Sequence, residues 1–174
     1  MSWNNDNVPK IILDYDDSNL RQTMAQISAT LDKNEFGAGG RRLRNMTAMA
    51  SVSGERATNK MAERAKGEVL DLMRDRQYNQ PSYGPEKAKA WHDKHNNARM
   101  VDNLKDHVKG NHHEIYTTTT NGGYNYSQAF EFGLLTRNYP AHHPFEDAAN
   151  HLNLNQLNGP FEQAIDEAIR KGFS

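Results

Sequence analysis

The sequence predicts an α+β fold in which a small antiparallel sheet, with a hairpin in the C-terminal half, packs against one long helix and several shorter ones. Two segments predict strands: an apolar run at residues 10–15, and a β-branched and aromatic run at 114–120 that precedes the reversal signal Asn-Gly-Gly at 121–123. The helical composition of residues 41–77 predicts the long helix. At 174 residues the chain has room for one core, so a single domain over 1–174 is expected.

A strand followed by a helix is expected at the N-terminal end. Residues 10–15 form the strand, and apolar residues then recur at spacings of four, three and four, which places them on one stripe of a helix. This stripe is expected to face the core, and its members are Leu20, Met24, Ile27 and Leu31. Three glycines follow, and because glycine is costly inside a helix a glycine hinge is expected at 37–40.

The long helix carries apolar residues at helical spacing, including Met61, Ala65 and Val69. We expect it to split at Gly54, since the serines on either side can cap a second segment. Residues 78–97 are rich in Pro, Gly, Tyr and Asn and predict an exposed loop that is longer than most connections in compact domains.

The C-terminal half is expected to alternate helices with a hairpin. A short amphipathic helix is predicted from Ala98 to Val108, and the second strand of the hairpin is predicted from Tyr124 to Phe132. Pro144 suits the first turn of another helix, and a last helix is expected from about residue 158 to Gly172.

Composition excludes several classes of protein. The apolar fraction is 36% and the mean hydropathy is −0.95, so much of the chain is expected to be solvated or to contact partners. The sequence contains no apolar run long enough for a membrane span and no signal-peptide pattern, so a soluble, unexported protein is expected. The absence of cysteine excludes disulfides, thiolate nucleophiles and cysteine-ligated zinc.

No catalytic, metal-binding or cofactor-binding residue is predicted. Histidines occur in close pairs at 92/95, 112/113 and 142/143, but none has the i, i+4 spacing with which a helix grips a metal ion. The segment 37–42 lacks the Gly-Lys-Ser/Thr ending of a phosphate-binding loop, and no serine lies in a Gly-x-Ser-x-Gly context. The nuclease-like letters at 91–97 lack the remaining parts of a site, so a noncatalytic protein is expected.

Charge is distributed unevenly along the chain. Residues 41–76 carry nine Lys or Arg against five Asp or Glu, whereas 131–171 carry three against six. Interleaved carboxylates favour an ordinary solvated helix and argue against sequence-specific DNA binding. Contacts to neighbouring subunits, or to DNA in the lumen of a ring, are the alternative, and the residues that would make them are Arg41, Arg42, Arg44, Arg56, Lys60 and Arg64.

The most distinctive segment runs from Tyr126 to Ala148 and contains Glu131-Phe132-Gly133, then Pro144-Phe145, then Ala148. In this order the residues resemble the signature of the tail-completion or head-to-tail joining proteins of long-tailed phages, the neck proteins often described as minor capsid proteins. Residues 98–104 resemble, more loosely, the element that precedes the hairpin in this family. The resemblance covers about residues 97–174.

The resemblance implies an α+β fold and a homo-oligomeric ring, commonly sixfold, at the neck of the virion. The implied neighbours are a head-completion or portal-side protein, a tail terminator or tail tube protein, and DNA that passes through the lumen without specific binding. A tail terminator or another minor head protein is the alternative within this class. A nonspecific DNA-binding packaging accessory protein is the alternative of another class.

Specific structural roles are expected within the resembling segment. Gly133 would let the chain leave the sheet with a positive φ, and Phe132 and Phe145 are expected in the core. Glu131, if buried, is expected to cap a helix or to pair with a basic group, with Arg99 as the expected partner. An exposed glutamate at the end of a strand is the alternative.

Overall fold

The α+β class is confirmed by the computed structural model, which describes residues 8–78, 99–121, 124–135, 138–152, 159, 162–163 and 166–171. The helices are α1 (Ser18–Lys33), α2 (Gly37–Met73), α3 (Tyr126–Phe132) and α4 (Pro144–His151), and residues 166–171 are also helical. The strands are β1 (Ile11–Asp14), β2 (Leu104–Lys109), β3 (His112–Thr117), β4 (Thr120–Asn121) and β5 (Tyr124–Asn125). Except for Tyr78, the loop predicted at 78–97 lies outside the described residues.

The main sheet has three antiparallel strands in the order β1-β3-β2. Strand β1 confirms the prediction for residues 10–15, whereas the helix predicted from Ala98 to Val108 is wrong. A short 3-10 turn, Met100–Asp102, precedes β2 in that segment. The physical reason is the Gly110-Asn111 pair between β2 and β3, where Gly110 has a φ of 62°, because such a pair favours a two-residue hairpin over a continuing helix.

A second hairpin follows β3. Asn121 pairs with Tyr124 and Thr120 pairs with Asn125, so the predicted reversal at 121–123 is confirmed. The predicted strand from Tyr124 to Phe132 is wrong beyond Asn125, because α3 begins at Tyr126. Asn125 caps this helix by accepting a hydrogen bond from the backbone N–H of Ser127.

The first glycines of α2 do not form a hinge, since the helix begins at Gly37. The chain reverses earlier, between α1 and α2, where Glu35 has a φ of 66°. Gly40 is needed for a close helix contact: a Cβ there would lie 3.1 Å from the carbonyl oxygen of Ser28 and would overlap the Asp32 carboxylate. The predicted split at Gly54 is also wrong, because α2 continues through it and the ring of Tyr15 occupies the space of a side chain.

The chain was expected to form one domain, and its contacts group into two compact units. We call residues 1–13, 62–109 and 113–153 the sheet unit, and residues 14–61, 110–112 and 154–174 the helical unit. The described core of the sheet unit contains large side chains, among them Val69, Met73, Ile115, Phe130 and Phe145.

In the helical unit, the buried apolar residues that the structure describes are all alanines: Ala50, Ala57 and Ala168. Helix α1 contacts α2 through Ser28, whose hydroxyl donates a hydrogen bond to the Gly40 carbonyl at 3.0 Å. The prediction that the apolar stripe of α1 faces the core is wrong for Leu20 and Ile27, which are 38% and 45% exposed. The other two members, Met24 and Leu31, are half-buried. In the helical residues 166–171, Ala168 is buried and Ile169 is 39% exposed.

Within the described part of the chain, the structure contains no helix with both the length and the apolar character needed to cross a bilayer.

Candidate functional site

Helix α3 is fixed in place by the residue that begins it. The side-chain amide of Asn125 donates to the carbonyl of Thr117 at 3.0 Å, while its oxygen accepts from the Ser127 N–H at 2.9 Å. Asn125 is itself buried, so both hydrogen bonds are sheltered from water. The end of β3 therefore determines where α3 starts, and α3 in turn positions Glu131.

The carboxylate of Glu131 caps helix α4. Its Oε2 accepts the N–H of Phe145 and its Oε1 accepts the N–H of Glu146, both at 2.9 Å. The first N–H groups of a helix have no partner within the helix and form its positive end, so a carboxylate is well matched to them. Glu131 is only 2% exposed, which confirms the expectation of a buried cap.

The expected partner of Glu131 was wrong. Arg99 instead forms two hydrogen bonds with Asp102, including one from Nη2 to Oδ1 at 2.9 Å. This pair lies three positions apart in the sequence and holds the 3-10 turn before β2. The charge of Glu131 is balanced by backbone dipoles, and no guanidinium is needed for that purpose.

Burial raises the pKa of the Glu131 carboxyl above its ordinary value. The two capping N–H groups and the nearby His143 act in the opposite direction, and the charge of Glu146 adds to the increase. Desolvation is the largest of these effects. The cap is therefore more easily protonated than an exposed glutamate would be.

Gly133 ends α3 with a φ of 72° and a ψ of 176°, a region of backbone space open essentially to glycine alone. The prediction of a positive φ is confirmed, although the chain leaves a helix here and not a sheet. A Cβ on Gly133 would lie 2.8 Å from both the Ala141 nitrogen and the Tyr139 oxygen. The loop returns at once, since Leu134 and Tyr139 form an antiparallel bridge.

The two aromatic residues of the motif have different environments. Phe145 is 3% exposed and Ala148 is fully buried, and Pro144 is buried in the first turn of α4. Phe132 is 60% exposed, so its expected place in the core is wrong. As the last residue of α3 it lies on the opposite side from Phe130, which is 1% exposed.

A contact that the sequence did not predict joins α4 to the π-helical turn Arg74–Tyr78, which directly follows α2. The Arg76 guanidinium lies 2.6 Å from Asp147 and also donates to the backbone carbonyl of His142. The ring of His142 stacks on Phe130 with centroids 4.6 Å apart. Burial, followed by the charges of Arg76 and His143, lowers the pKa of His142. Arg76 and His142 are 66 positions apart in the sequence, so no local sequence pattern could have predicted their contact.

Three side chains at the start of α4 have the donor types of a metal site. The ligand atoms of Glu131, His143 and Glu146 lie within 4.8 Å of one another, the only such group among the residues that the structure describes. His143 Nδ1 is 3.0 Å from Glu146 but makes no hydrogen bond. Both oxygens of Glu131 already accept helix N–H groups, whose positive end opposes a cation. The geometry favours a helix cap.

The structure separates the six predicted basic contact residues. Arg44 lies against α1, 2.7 Å from Asp32, and Arg64 belongs to the sheet unit. The other four are exposed and form no ion pair with a described residue, and they lie on one side of α2: Arg41, Arg42, Arg56 and Lys60. The charge of Arg56 acts on Glu167, where it adds to the effect of Lys171 in lowering the pKa of that carboxyl, so Arg41, Arg42 and Lys60 are the part of the predicted basic surface that remains available to a partner.

Comparison with known proteins identifies no relative: no protein-family model, curated protein or solved structure matches the chain.

Proposed function

We propose that the chain is a structural protein of the neck of a tailed-phage virion, where it assembles into a ring that joins the DNA-filled head to the tail. The observation that carries this proposal is the construction of the segment from Glu131 to Ala148. Its resembling residues form one folded unit in which Glu131 caps α4, Gly133 returns the chain and Phe145 fills the core. These residues stabilise the fold, which is expected of a protein that functions by assembling with other proteins.

The surface of the molecule supports assembly with other protein. Large apolar side chains are exposed in both units, for example Ile27 at 45%, Val52 at 46% and Leu135 at 98%. In the helical unit, Val52 and Met49 are three positions apart on α2, so their exposed side chains lie on one side of that helix. A ring needs two different surfaces on each copy, because its contacts are heterologous.

The resemblance supplies the proposed neighbours. A ring, expected to contain six copies, would lie between a head-completion or portal-side protein and the tail terminator or tail tube. DNA would pass through its lumen without specific binding. The proposed location is the virion, with assembly in the host cytoplasm. A tail terminator or another minor head protein remains the alternative within this class.

A second class is favoured by one observation. The cations Arg41, Arg42, Arg56 and Lys60 are exposed and form no ion pair with a described residue, as is required of side chains that neutralise phosphates. A nonspecific DNA-binding packaging accessory protein would use them in this way.

Deletion of the coding sequence from the phage that carries it separates these functions. Negative-stain microscopy of the lysate is expected to show full heads and finished tails that are not joined, and the chain supplied from a plasmid should restore joined particles. Empty heads would favour the packaging role. Infectious virions in normal yield would contradict both.

A further inference from the structure

The helical unit uses small residues where its helices come closest and exposes several large ones. The contact between α1 and α2 uses Ser28 and Gly40, and a Cβ on Gly40 would overlap Asp32 of α1. Gly54 instead accommodates the ring of Tyr15, which precedes α1. The large apolar side chains of the two helices are exposed: Leu20 by 38%, Ile27 by 45%, Met49 by 38% and Val52 by 46%. Burial of such side chains drives association, and on this unit they remain available.

On α2 the exposed apolar residues belong to a regular stripe. Positions spaced four, four, three, four and four apart share one side of a helix, and here every one of them is exposed. We call this set the α2 outer stripe: Arg41, Asn45, Met49, Val52, Arg56 and Lys60. It has an apolar centre and cations at both ends, and it extends for about 28 Å at 1.5 Å per residue. Two exposed carboxylates border it: Glu55, three positions beyond Val52, and Glu167, whose pKa is lowered by its hydrogen bond and ion pair with Lys171 and by the charge of Arg56.

On α1 the exposed apolar residues form a second stripe of different character. We call it the α1 outer stripe, and its members are Leu20, Thr23, Ile27 and Thr30. All four are exposed and uncharged. A carboxylate lies at each end: Asp16 precedes α1, and Glu35 follows it in the turn. The Ser18 N–H and hydroxyl lower the pKa of Asp16, so this group stays charged.

The cations of α1 modify this pattern at one end. Arg21 pairs with Asp17 at 2.9 Å. Lys33 is three positions beyond Thr30, so it borders the α1 outer stripe near Glu35. The α1 outer stripe is therefore apolar at its centre, negative at the Asp16 end and of mixed charge at the other end.

The two stripes differ in length, and the negative Asp16 end of the α1 outer stripe complements the cations of the α2 outer stripe. Asp16 and Glu35 are 19 positions apart, as are Arg41 and Lys60, and each pair flanks an apolar centre. An apolar centre with a charged rim is the usual anatomy of a protein interface, in which Met and Arg are enriched. Two α2 outer stripes facing each other would bring like charges together, whereas an α1 stripe facing an α2 stripe pairs opposite charges.

We propose that the α1 outer stripe of one copy of this chain docks on the α2 outer stripe of the next copy. The inference rests on the proposed ring and names the surfaces that would hold it together. Because the two surfaces differ, each copy that joins leaves one of them open for another copy, and the chain of contacts ends only when a ring closes. DNA fits the α2 stripe less well, because its phosphates cannot bury Met49 and Val52.

Disulfide trapping tests the contact directly, since the chain has no cysteine. The double variant Ile27→Cys/Met49→Cys of the full chain is oxidised mildly and separated on a non-reducing gel. A ladder of covalent multimers is expected, because each copy then carries both halves of the contact. The longest member of the ladder reports the number of copies in the ring. Each single variant is expected to remain monomeric.

The matched control is Ile27→Cys/Leu135→Cys, which places its second cysteine at a position that is 98% exposed and lies in the other unit. Its cross-linking measures random collision. A yield for the Ile27→Cys/Met49→Cys pair at least about tenfold above this background supports the inference. Equal yields from the two pairs would overturn it.

Charge reversal provides a second test. The substitutions Arg41→Glu and Arg56→Glu, added to the cysteine pair, are expected to lower the yield of the ladder, and Asp16→Lys with Glu35→Lys should restore it. If the reversed variant cross-links as before but loses retention on double-stranded DNA, the stripe contacts phosphates and the inference is wrong.

The inference and the proposed function can fail separately. A chain located in virion necks by immunogold labelling, but without the specific ladder, would retain the function and reject these contact surfaces. A specific ladder together with normal virions from the deletion phage would retain the contact and reject the neck function.

Discussion

At the scale of single residues, the start of α4 depends on a carboxylate that lies outside the helix. Glu131 reaches across from α3 and accepts two backbone N–H groups while almost wholly buried. Two effects on its pKa compete there, since desolvation favours the neutral acid and the helix end favours the anion. Desolvation is the larger effect, and this has a consequence for stability that can be measured.

Glu131 is expected to make the protein less stable as the pH rises. Its pKa is raised above the ordinary 4.5, so between 4.5 and the raised value the folded chain holds a proton that the unfolded chain has released. Stability therefore falls across this window with increasing pH. Asp16 and Glu167, whose pKa values are lowered, contribute a slope of the opposite sign in both proteins. Urea unfolding at a series of pH values should therefore show that the stability of the wild type relative to Glu131→Gln falls as the pH rises through this window.

The same substitution also weakens the cap, because an amide offers one oxygen where the carboxylate offers two. At pH values above the raised pKa of Glu131, we expect Glu131→Gln to lower the free energy of unfolding by about 1–2 kcal/mol. Glu63→Gln, at an exposed position on α2, is the matched control and should change neither the slope nor the free energy. An unchanged slope in Glu131→Gln would contradict the assignment.

Gly133 provides the clearest test of backbone geometry. Gly133→Ala combines a forbidden backbone region with contacts of 2.8 Å to backbone atoms, so a loss of about 3 kcal/mol is expected. Gly110→Ala is the matched control: it also has a positive φ, of 62°, but open space around it, and about 1 kcal/mol is expected there. Thermal or urea unfolding of both variants measures the two losses of stability. Equal losses would show that the loop around Gly133 moves to relieve the contacts with the added Cβ.

At the scale of elements, the sequence predicted those whose signals are local, namely β1, the turn at 121–123 and α4. It also predicted the long helix, but not its continuity through Gly54, because the neighbouring serines suggested a cap. Two elements were misread because a competing pattern was given more weight. Leu104 and Val108 have helical spacing, but the Gly110-Asn111 pair indicated a hairpin.

Helix α3 was misread for a similar reason. Its aromatic residues suggested a strand, whereas Asn125 followed three residues later by Gln128 is a sequence signature of a helix start. The contact of Arg76 with Asp147 left no local signal at all. Contacts between distant segments depend on the packing of whole elements, and local sequence patterns do not report that packing.

The glycines of α2 illustrate how packing changes the meaning of a residue. Gly67→Ala, with nothing within 4 Å of the added Cβ, is expected to stabilise the protein by about 1 kcal/mol through helix propensity alone. Gly54→Ala offers the same propensity gain, but its Cβ would lie 2.6 Å from Cε1 of Tyr15 and closer still to other ring atoms. We expect Gly54→Ala to destabilise.

Thermal unfolding followed by circular dichroism compares these two variants within one helix. Tyr15 can also be removed: in a Tyr15→Ala background, Gly54→Ala should become stabilising, because the overlap no longer exists. A Gly54→Ala variant as stable as Gly67→Ala in the wild-type background would show that the Tyr15 ring moves aside without cost.

At the scale of the whole molecule, the two units distribute apolar residues in opposite ways. The sheet unit buries large side chains such as Met73 and Phe130, whereas the described core of the helical unit is built from alanine and glycine contacts. The apolar stripe of α1 was predicted from its spacing, but spacing alone cannot tell whether a stripe faces the same chain or another one. Ile27 is the residue where this distinction matters most.

A ring with heterologous contacts should be blocked by a subunit that lacks one of its two contact surfaces, whereas a symmetric dimer has only one kind of contact surface. Ile27→Asp is expected to destroy the α1 outer stripe and leave the α2 outer stripe intact, so the variant still joins a growing ring and prevents its closure. With six copies and equal expression, only about one ring in sixty would contain wild-type copies alone. Expression of Ile27→Asp during infection by the wild-type phage should therefore lower the infectious titre by more than tenfold, by the same arithmetic.

The double variant Ile27→Asp/Met49→Asp separates this effect from simple misfolding. It carries an additional charge yet should be harmless, because with both stripes disrupted it cannot enter a ring. Both substitutions are at exposed positions, so the melting temperature of either variant should stay close to that of the wild type. If the single and double variants inhibited infection equally, the inhibition would not depend on the α1 and α2 outer stripes. Strong inhibition by the single variant alone would assign them to successive copies in the ring.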